Sequence, residues 1–231
     1  MTKVQPSSLS YNVYMSDRTI GFGEFYHVYN RGVEKRNIFL DHEDFSMFCH
    51  HLYALNHEDS ITNLPRQRDL KFSRKPIVKI HGFCLMNNHY HLLLEEILEG
   101  GISKFMQKLG TGYTMYFNKK YERSGALFQG KYKFKHVIAD SHFDYILDYI
   151  HLNPHDEGPT FVIKKLLKYR WSSLPVYLNI AKNFSSIVSV EFFLDYFNGV
   201  QEYRNHLEKS FYSRNNLLSN AEILIDSFDE A

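Results

Sequence analysis

Cysteine is nearly absent: only Cys49 and Cys84 occur among the 231 residues. Both stand in apolar surroundings, at a spacing that fits neither a zinc cluster nor a disulfide framework, so reduced core thiols are expected. Charge of one sign is also missing. The 27 Lys and Arg balance 26 Asp and Glu to a net +1, so global electrostatics do not announce a nucleic-acid partner and any such reading must rest on where the charges sit. No segment approaches the roughly 18 consecutive apolar residues that span a bilayer, and the chain does not open on a basic stretch followed by an apolar one. A soluble, cytoplasmic protein without a membrane partner is expected. Neither an internal repeat nor a low-complexity segment is present.

What the chain does have is apolar mass and aromatic rings. Hydrophobic residues make up 44% of it and aromatics 16%, with 17 Tyr and 19 Phe. That is enough for a sizeable core, and at about 150 residues per domain the length predicts one domain plus an extension. The aromatic content serves either core packing or base stacking and does not choose between them.

Periodicity orders the chain. Residues 1–20 are polar and lack a pattern, as a flexible leader would. Phe22 to Tyr29 is aromatic and β-branched and ends at the turn signal Asn30-Arg31-Gly32, which predicts a strand. Asp41 is placed to cap a helix running to His57, with Phe45, Phe48, Leu52 and Leu55 on one face. The polar stretch Asp59 to Lys75 reads as a loop. Ile77–Met86 and His89–Glu96 read as two strands joined tightly through Asn87-Asn88. After Gly100-Gly101, apolar spacing predicts a helix from Ile102 to Lys120, then a strand at about Leu127–Ile138. A helix capped by Asp140 or Ser141 follows and stops at Pro154. The order β, α, β, β, α, β, α is that of a ferredoxin-like split βαβ core, an α/β (α+β) fold with a central antiparallel sheet. It assigns residues 21–160 to the core and 161–231 to a C-terminal helical extension, in which Ser189 to Phe211 reads as one amphipathic helix.

Alternation along a strand puts His89 and His91 on one side and Tyr90 on the other. Two adjacent neutral imidazoles are half of a site for a borderline divalent metal, which usually takes a third protein ligand and keeps positions open for substrate. A pair of half-exposed strand histidines with no ligand has the same signature. Local charge adds a second pattern. Between Ile102 and His136, Lys104, Lys108, Lys119, Lys120, Arg123, Lys131, Lys133 and Lys135 meet one acid, Glu122, with aromatic residues interleaved. That is the footprint of a phosphate-tracking surface with stacking platforms, or of an ordinary solvated face. Further basic clusters lie at Arg66, Arg68, Lys71, Arg74 and Lys75 and at Lys164, Lys165, Lys168 and Arg170.

Met86-Asn87-Asn88-His89-Tyr90-His91-Leu92-Leu93-Leu94 resembles the histidine–hydrophobe–histidine motif of HUH enzymes, in the form found in single-tyrosine transposases. Phe25-Tyr26-His27-Val28-Tyr29-Asn30-Arg31-Gly32, with Ile38-Phe39 and Asp44, resembles that family's first strand and following turn. Gly125-Ala126-Leu127-Phe128-Gln129-Gly130 resembles its Gly-x-Leu-Phe/Trp-Gln segment. Tyr149-Ile150-His151-Leu152-Asn153-Pro154 resembles its tyrosine helix as written in the REP-associated branch, where Trp171-Ser172-Ser173 is also typical. The resemblance runs in order from about Gly23 to Tyr177.

It implies an HUH single-tyrosine DNA nuclease and transposase, a DNA-binding endonuclease of DNA transposition and recombination. Tyr149 would attack a phosphodiester of hairpin-bearing single-stranded DNA, leaving a 5′-phosphotyrosine intermediate and a free 3′-hydroxyl that permits rejoining. His89, His91 and Asn153, which follows Tyr149 by one helical turn, would bind Mg²⁺ or Mn²⁺; several relatives carry Gln at that position. Arg31 and the basic residues from Lys104 to Lys135 would bind DNA. A phenol with a pKa near 10 needs help to attack at neutral pH, and His151 or a metal-bound water are the candidate bases. Tyr145, one turn before Tyr149, reproduces the spacing of two-tyrosine HUH replication initiators and relaxases; it is expected to pack in the core but stands as a possible second nucleophile. Pro154 leads into His155-Asp156-Glu157-Gly158, where relatives carry an Arg-Ala-Gly-Leu-like segment. A monomer is favoured and a homodimer possible. A domesticated protein that binds DNA without cleaving it is a further alternative.

Overall fold

A computed structural model describes residues 20–58, 75–138, 140–154 and 163–220. The leader, most of the basic loop from Arg66 to Arg74, and the His155-Asp156-Glu157-Gly158 departure lie outside them. The elements in chain order are β1 (Phe25–Arg31), α1 (His42–Ala54), β2 (Val78–Met86), β3 (His89–Glu96), α2 (Gly101–Lys120), β4 (Lys133–Val137) and α3 (Asp140–Leu152). The short helices α4 (Ile163–Leu167), α5 (Leu174–Tyr177) and α6 (Glu191–Tyr196) then lead to the long α7 (Val200–Asn220).

The four strands form one sheet in the order β2-β3-β1-β4, with every neighbouring pair antiparallel. This is a mixed α/β fold with a central antiparallel sheet and flanking helices. Because strand side chains alternate, β3 supplies both layers of the core. Tyr90 points to one face, where its ring meets Phe48 of α1 at 4.9 Å and Phe128 at 5.8 Å, and α2 closes that layer through Tyr113, 4.9 Å from Phe48. His91 points to the other face, against α3, whose Tyr149 ring lies 5.4 Å away. Gly82 on β2 permits the close approach of α3: a Cβ there would stand 3.1 Å from Leu147.

Several elements depart from their expected bounds. β1 starts at Phe25 rather than Phe22, because Gly23 takes a left-handed φ of 75° and its N–H donates to Glu96 at 2.7 Å, which turns Phe22 outward to 76% exposure. α1 ends at Ala54, and the buried Asn56 side chain then accepts from the Ile77 and Val78 N–H groups and donates to the Val78 carbonyl. Of the stretch Leu127–Ile138 only Lys133–Val137 is strand. The residues before it wrap the end of β1 through irregular bonds, Gln129 N–H to Arg31 at 2.9 Å and the Asn30 amide to Gly130 at 3.1 Å. The single helix expected from Ser189 to Phe211 is two helices, α6 and α7. They part at Asn198-Gly199, whose φ values of 59° and 105° no helix allows, and Asn-Gly is a turn-former for that reason.

Asp41 caps α1 as expected, accepting from the N–H groups of Glu43 and Asp44. It also joins a charge cluster between the start of α1 and the end of α2. There Lys120 Nζ lies 2.8, 2.9 and 2.9 Å from carboxylate oxygens of Asp41, Glu43 and Asp44, and the Tyr116 and Tyr121 hydroxyls donate to Asp44. Desolvation pulls the Lys120 ammonium down, but the three carboxylates outweigh it and raise its pKa above the ordinary lysine range. Since Asp44 is fully buried, removing the cation leaves a buried charge short of a partner. Lys120→Met should therefore lower stability by about 2 kcal/mol, read as a fall in the urea midpoint; an unchanged midpoint would show that the cluster contributes nothing.

Candidate active site

The β2–β3 hairpin turns at Asn87-Asn88, and its tip is tied to the loop after β1. Ile38 and Phe39 donate backbone N–H groups to Asn87 O, and Gly32 donates to Asn88 O. The Asn88 amide donates to Lys35 O at 3.2 Å, which turns its oxygen toward His89 Nδ1, 2.6 Å away. That contact needs the proton on His89 Nδ1. The other nitrogen of the neutral ring, Nε2, then presents a lone pair, and it faces Asn153 Oδ1 at 3.2 Å.

His91 opposes Tyr29 across the sheet, and Arg31 opposes His89. His91 is buried, with its Nδ1 2.8 Å from Nε2 of His27, and the two ring planes lie within 18° of parallel. Burial holds both imidazoles neutral: His27 falls to about 3, with the Lys135 charge adding to desolvation. His91 falls well below its ordinary value through desolvation, then through His27, His89 and Arg31. Tyr149 sits on α3 with its ring edge-on to His91 at 5.4 Å and to His27 at 5.5 Å. Asn153 follows just past the end of α3.

His89, His91, Tyr149 and Asn153 thus meet on one face of the sheet. Among the described residues no group of three or more His, Cys, Asp or Glu side chains forms a metal cluster; the donor set here is two histidines and an amide. With the His89 proton on Nδ1, Nε2 and Asn153 Oδ1 face each other as two lone-pair donors, the disposition of two ligands of one cation. Adjacent donors of an octahedral ion with ~2.1 Å bonds stand ~3.0 Å apart, close to the 3.2 Å found here. The residues present fit a hard or borderline divalent ion.

The expected basic surface divides in two. Lys133 and Lys135 oppose Tyr29 and His27 across the β1–β4 ladder and so share the histidine face with Arg31, and the exposed Lys131 leads into that strand. The α2 residues belong to the layer behind the sheet. Lys104 and Lys108 donate to the Glu58 and His57 carbonyls at 2.7 and 2.6 Å, and Lys119 is exposed. Lys120 is held by its three carboxylates, and Arg123 pairs with Asn118. Sequence clustering had merged two surfaces that the sheet separates.

Two further expectations change. Tyr145 is not core: it is 57% exposed and stacks on Tyr149 at 5.8 Å. His151 cannot serve as a base for Tyr149, because two residues along a helix it points the other way. It is fully buried, with Nδ1 2.6 Å from the Tyr203 hydroxyl and Nε2 2.6 Å from Ser173 Oγ. His27, which the motifs did not single out, joins His91 and Tyr149 on this face, because its place two residues before Tyr29 puts it on the same side of the strand.

His151 also shows how the tyrosine helix is held. Ser173 of the Trp171-Ser172-Ser173 segment bridges His151 to β2, accepting from Phe83 N–H at 2.9 Å and donating to Phe83 O, and Tyr203 brings in α7. Beside it, His206 of α7 lies 3.0 Å from the buried Asp148.

The family described as "Transposase IS200 like" matches residues 59–153, a segment that holds His89, His91, Tyr149 and Asn153. The chain thus shows a distant similarity to IS200-like transposases over that segment. A solved structure of a REP-associated tyrosine transposase bound to a REP hairpin superposes with a TM-score of 0.51 at 14% identity, covering 72% of this chain and 86% of that one. At that identity the likeness is one of fold. No curated protein matches the chain in sequence. Among the described residues no helix is long and apolar enough to cross a membrane.

The Asp148 carboxylate 3.0 Å away raises the His206 pKa against the opposing effect of desolvation, with Asp144 adding to the rise. A histidine raised on folding contributes stability that is complete below its unfolded pKa of about 6.5 and is lost as pH rises through the folded value. His206→Gln should therefore destabilise the protein clearly at pH 6 and much less at pH 9 in paired thermal melts. An equal loss at both values would rule out the ion pair as a tether of α3.

Proposed function

We propose that this protein is a metal-dependent single-stranded DNA endonuclease and strand transferase of the HUH single-tyrosine kind, acting at or near hairpin DNA. The observation that carries the reading is the convergence of Tyr149 with His89, His91 and Asn153 on the sheet face that also bears Arg31, Lys133 and Lys135. The distant similarity to IS200-like transposases supports the class. The hairpin bound by the REP-associated structural relative supports the substrate. The β2-β3-β1-β4 sheet supports the ferredoxin-like split βαβ core, and the contact of Tyr149 with its own chain's histidines supports action in cis by a monomer.

In the proposed reaction the Tyr149 hydroxyl oxygen forms a bond to a phosphorus of the strand, and the bond from that phosphorus to the 3′-oxygen breaks. The phenolic proton is lost to solvent or a bound water, and the departing 3′-oxygen takes up a proton. The diester is exchanged rather than hydrolysed, so a 3′-hydroxyl can reverse the step. His89, His91 and Asn153 would hold Mg²⁺ or Mn²⁺, which when bound polarises the scissile phosphate and offsets charge in the transition state. Arg31, Lys133 and Lys135 would hold neighbouring phosphates. The buried rings of His27 and His91 wall one side of Tyr149 from water.

The exposure of Tyr145 and its stacking on Tyr149 favour one second reading, a two-tyrosine enzyme of the replication-initiator or relaxase type; a domesticated protein that only binds DNA is the third. One experiment separates them. Purified protein is incubated with Mn²⁺ and hairpin-bearing single strands from the DNA flanking its gene, then run on a denaturing gel. A covalent protein–DNA band should form with wild type and Tyr145→Phe and vanish with Tyr149→Phe or a chelator. A band that persists with Tyr149→Phe moves the nucleophile to another tyrosine, and absence of any band on strands that bind overturns the catalytic reading.

A further inference from the structure

His27 has no part in the ligand set proposed above and lies outside the segment matched by the transposase family. Yet among the described residues it is the polar partner of the His91 ring, Nε2 to Nδ1 at 2.8 Å. A bond between two ring nitrogens needs one N–H and one lone pair, so it has two possible directions. If His27 donated, His91 would carry its proton on Nε2 and could not ligate a metal through that atom. If His91 donates, its Nε2 lone pair is free. The outer partner of a ligating histidine commonly fixes tautomer and ring plane in this way.

We propose that His27 is a positioning residue for the metal centre: it accepts from His91 Nδ1–H, and so sets His91 in the tautomer and orientation that present Nε2 as a ligand. The surroundings leave little freedom to either ring. Tyr29 stacks on both, at 25° to His27 and 27° to His91, and Tyr149 meets both edge-on. The arrangement parallels the one at His89, where the Asn88 oxygen plays the accepting part. Each histidine of the pair thus has a dedicated acceptor on Nδ1, an amide for one and an imidazole for the other. An imidazole accepts through a single lone pair and has the ring breadth to stack, so at His91 it fixes the ring plane as well as the proton.

This inference rests on reading the site as a divalent-metal centre, and the test separates the two. Mn²⁺ is titrated into the full-length protein and free Mn²⁺ is read by electron paramagnetic resonance, for wild type, His27→Leu and His27→Gln, with circular dichroism to confirm folding. His27→Leu should weaken Mn²⁺ binding by roughly 10- to 100-fold, and His27→Gln, which keeps an acceptor, should recover most of the loss. Nitrogen-15 ring correlations of metal-free wild type should show His91 protonated on Nδ1. Equal Mn²⁺ affinity in folded wild type and His27→Leu, or His91 protonated on Nε2 in wild type, overturns the role of His27 while the metal centre stands. Failure of wild type itself to take Mn²⁺ removes the metal centre, and this inference with it.

Discussion

Alternation along β3 is the constraint on which the rest of the molecule depends. A strand can give each neighbouring side chain only to opposite faces, so His89 and His91 look toward α3 while Tyr90, Leu92 and Leu94 are buried, Tyr90 against the α1–α2 layer. A slip of one residue in the β1–β3 register would exchange those sets, putting imidazoles into an aromatic core and a tyrosine into the polar site. The slip is opposed at the hairpin tip, where Asn87 and Asn88 accept four backbone and side-chain bonds or give them to the loop after β1. The same contacts that fix the register therefore also fix His89, through Asn88.

The histidine face needs a lid that brings Tyr149 and Asn153 to it, and α3 is held there from behind. Its buried apolar side, Ile146, Leu147 and Ile150, packs on the sheet across Gly82. His151, one turn beyond Leu147, ties the helix to Ser173 and Tyr203, and Asp148 ties it to His206 of α7. The segment beyond α3 is thus part of how the site is positioned: Trp171 stacks on Phe45 of α1 at 4.8 Å while Ser173 bonds β2, so one short stretch joins both layers of the core. A buried, fully bonded histidine on the tyrosine helix reads in this light as a structural bolt.

Much of this was legible in the sequence. The strand–turn–strand around Asn87-Asn88, the helix capped by Asp41, and the order of the core elements follow from periodicity and turn chemistry, and His89, His91, Tyr149 and Asn153 follow from motif resemblance. What was not legible depends on pairing across the sheet or on which helix covers which face. His27 looks like any strand histidine until β1 is laid beside β3. Lys120 and Lys133 look alike in a run of cations until one is found among Asp41, Glu43 and Asp44 and the other across from Tyr29. Tyr145 and His151 were misplaced for a related reason: helical spacing gives the relative direction of two side chains, and the face toward the sheet is set only by tertiary packing. The break at Asn198-Gly199 is different, since the turn signal stood in the sequence and the longer apolar periodicity obscured it.

In the proposed site His89, His91 and Asn153 are three vertices of one divalent-metal centre beside Tyr149. Anomalous diffraction from crystals of the protein soaked in Mn²⁺, with data collected on both sides of the manganese edge, tests it most directly. A single strong anomalous peak is expected within bonding distance of His89 Nε2, the His91 ring and Asn153 Oδ1, on the side of the sheet facing α3. A site without such a peak at saturating Mn²⁺, or a peak bound elsewhere with the three side chains in place and empty between them, would contradict it.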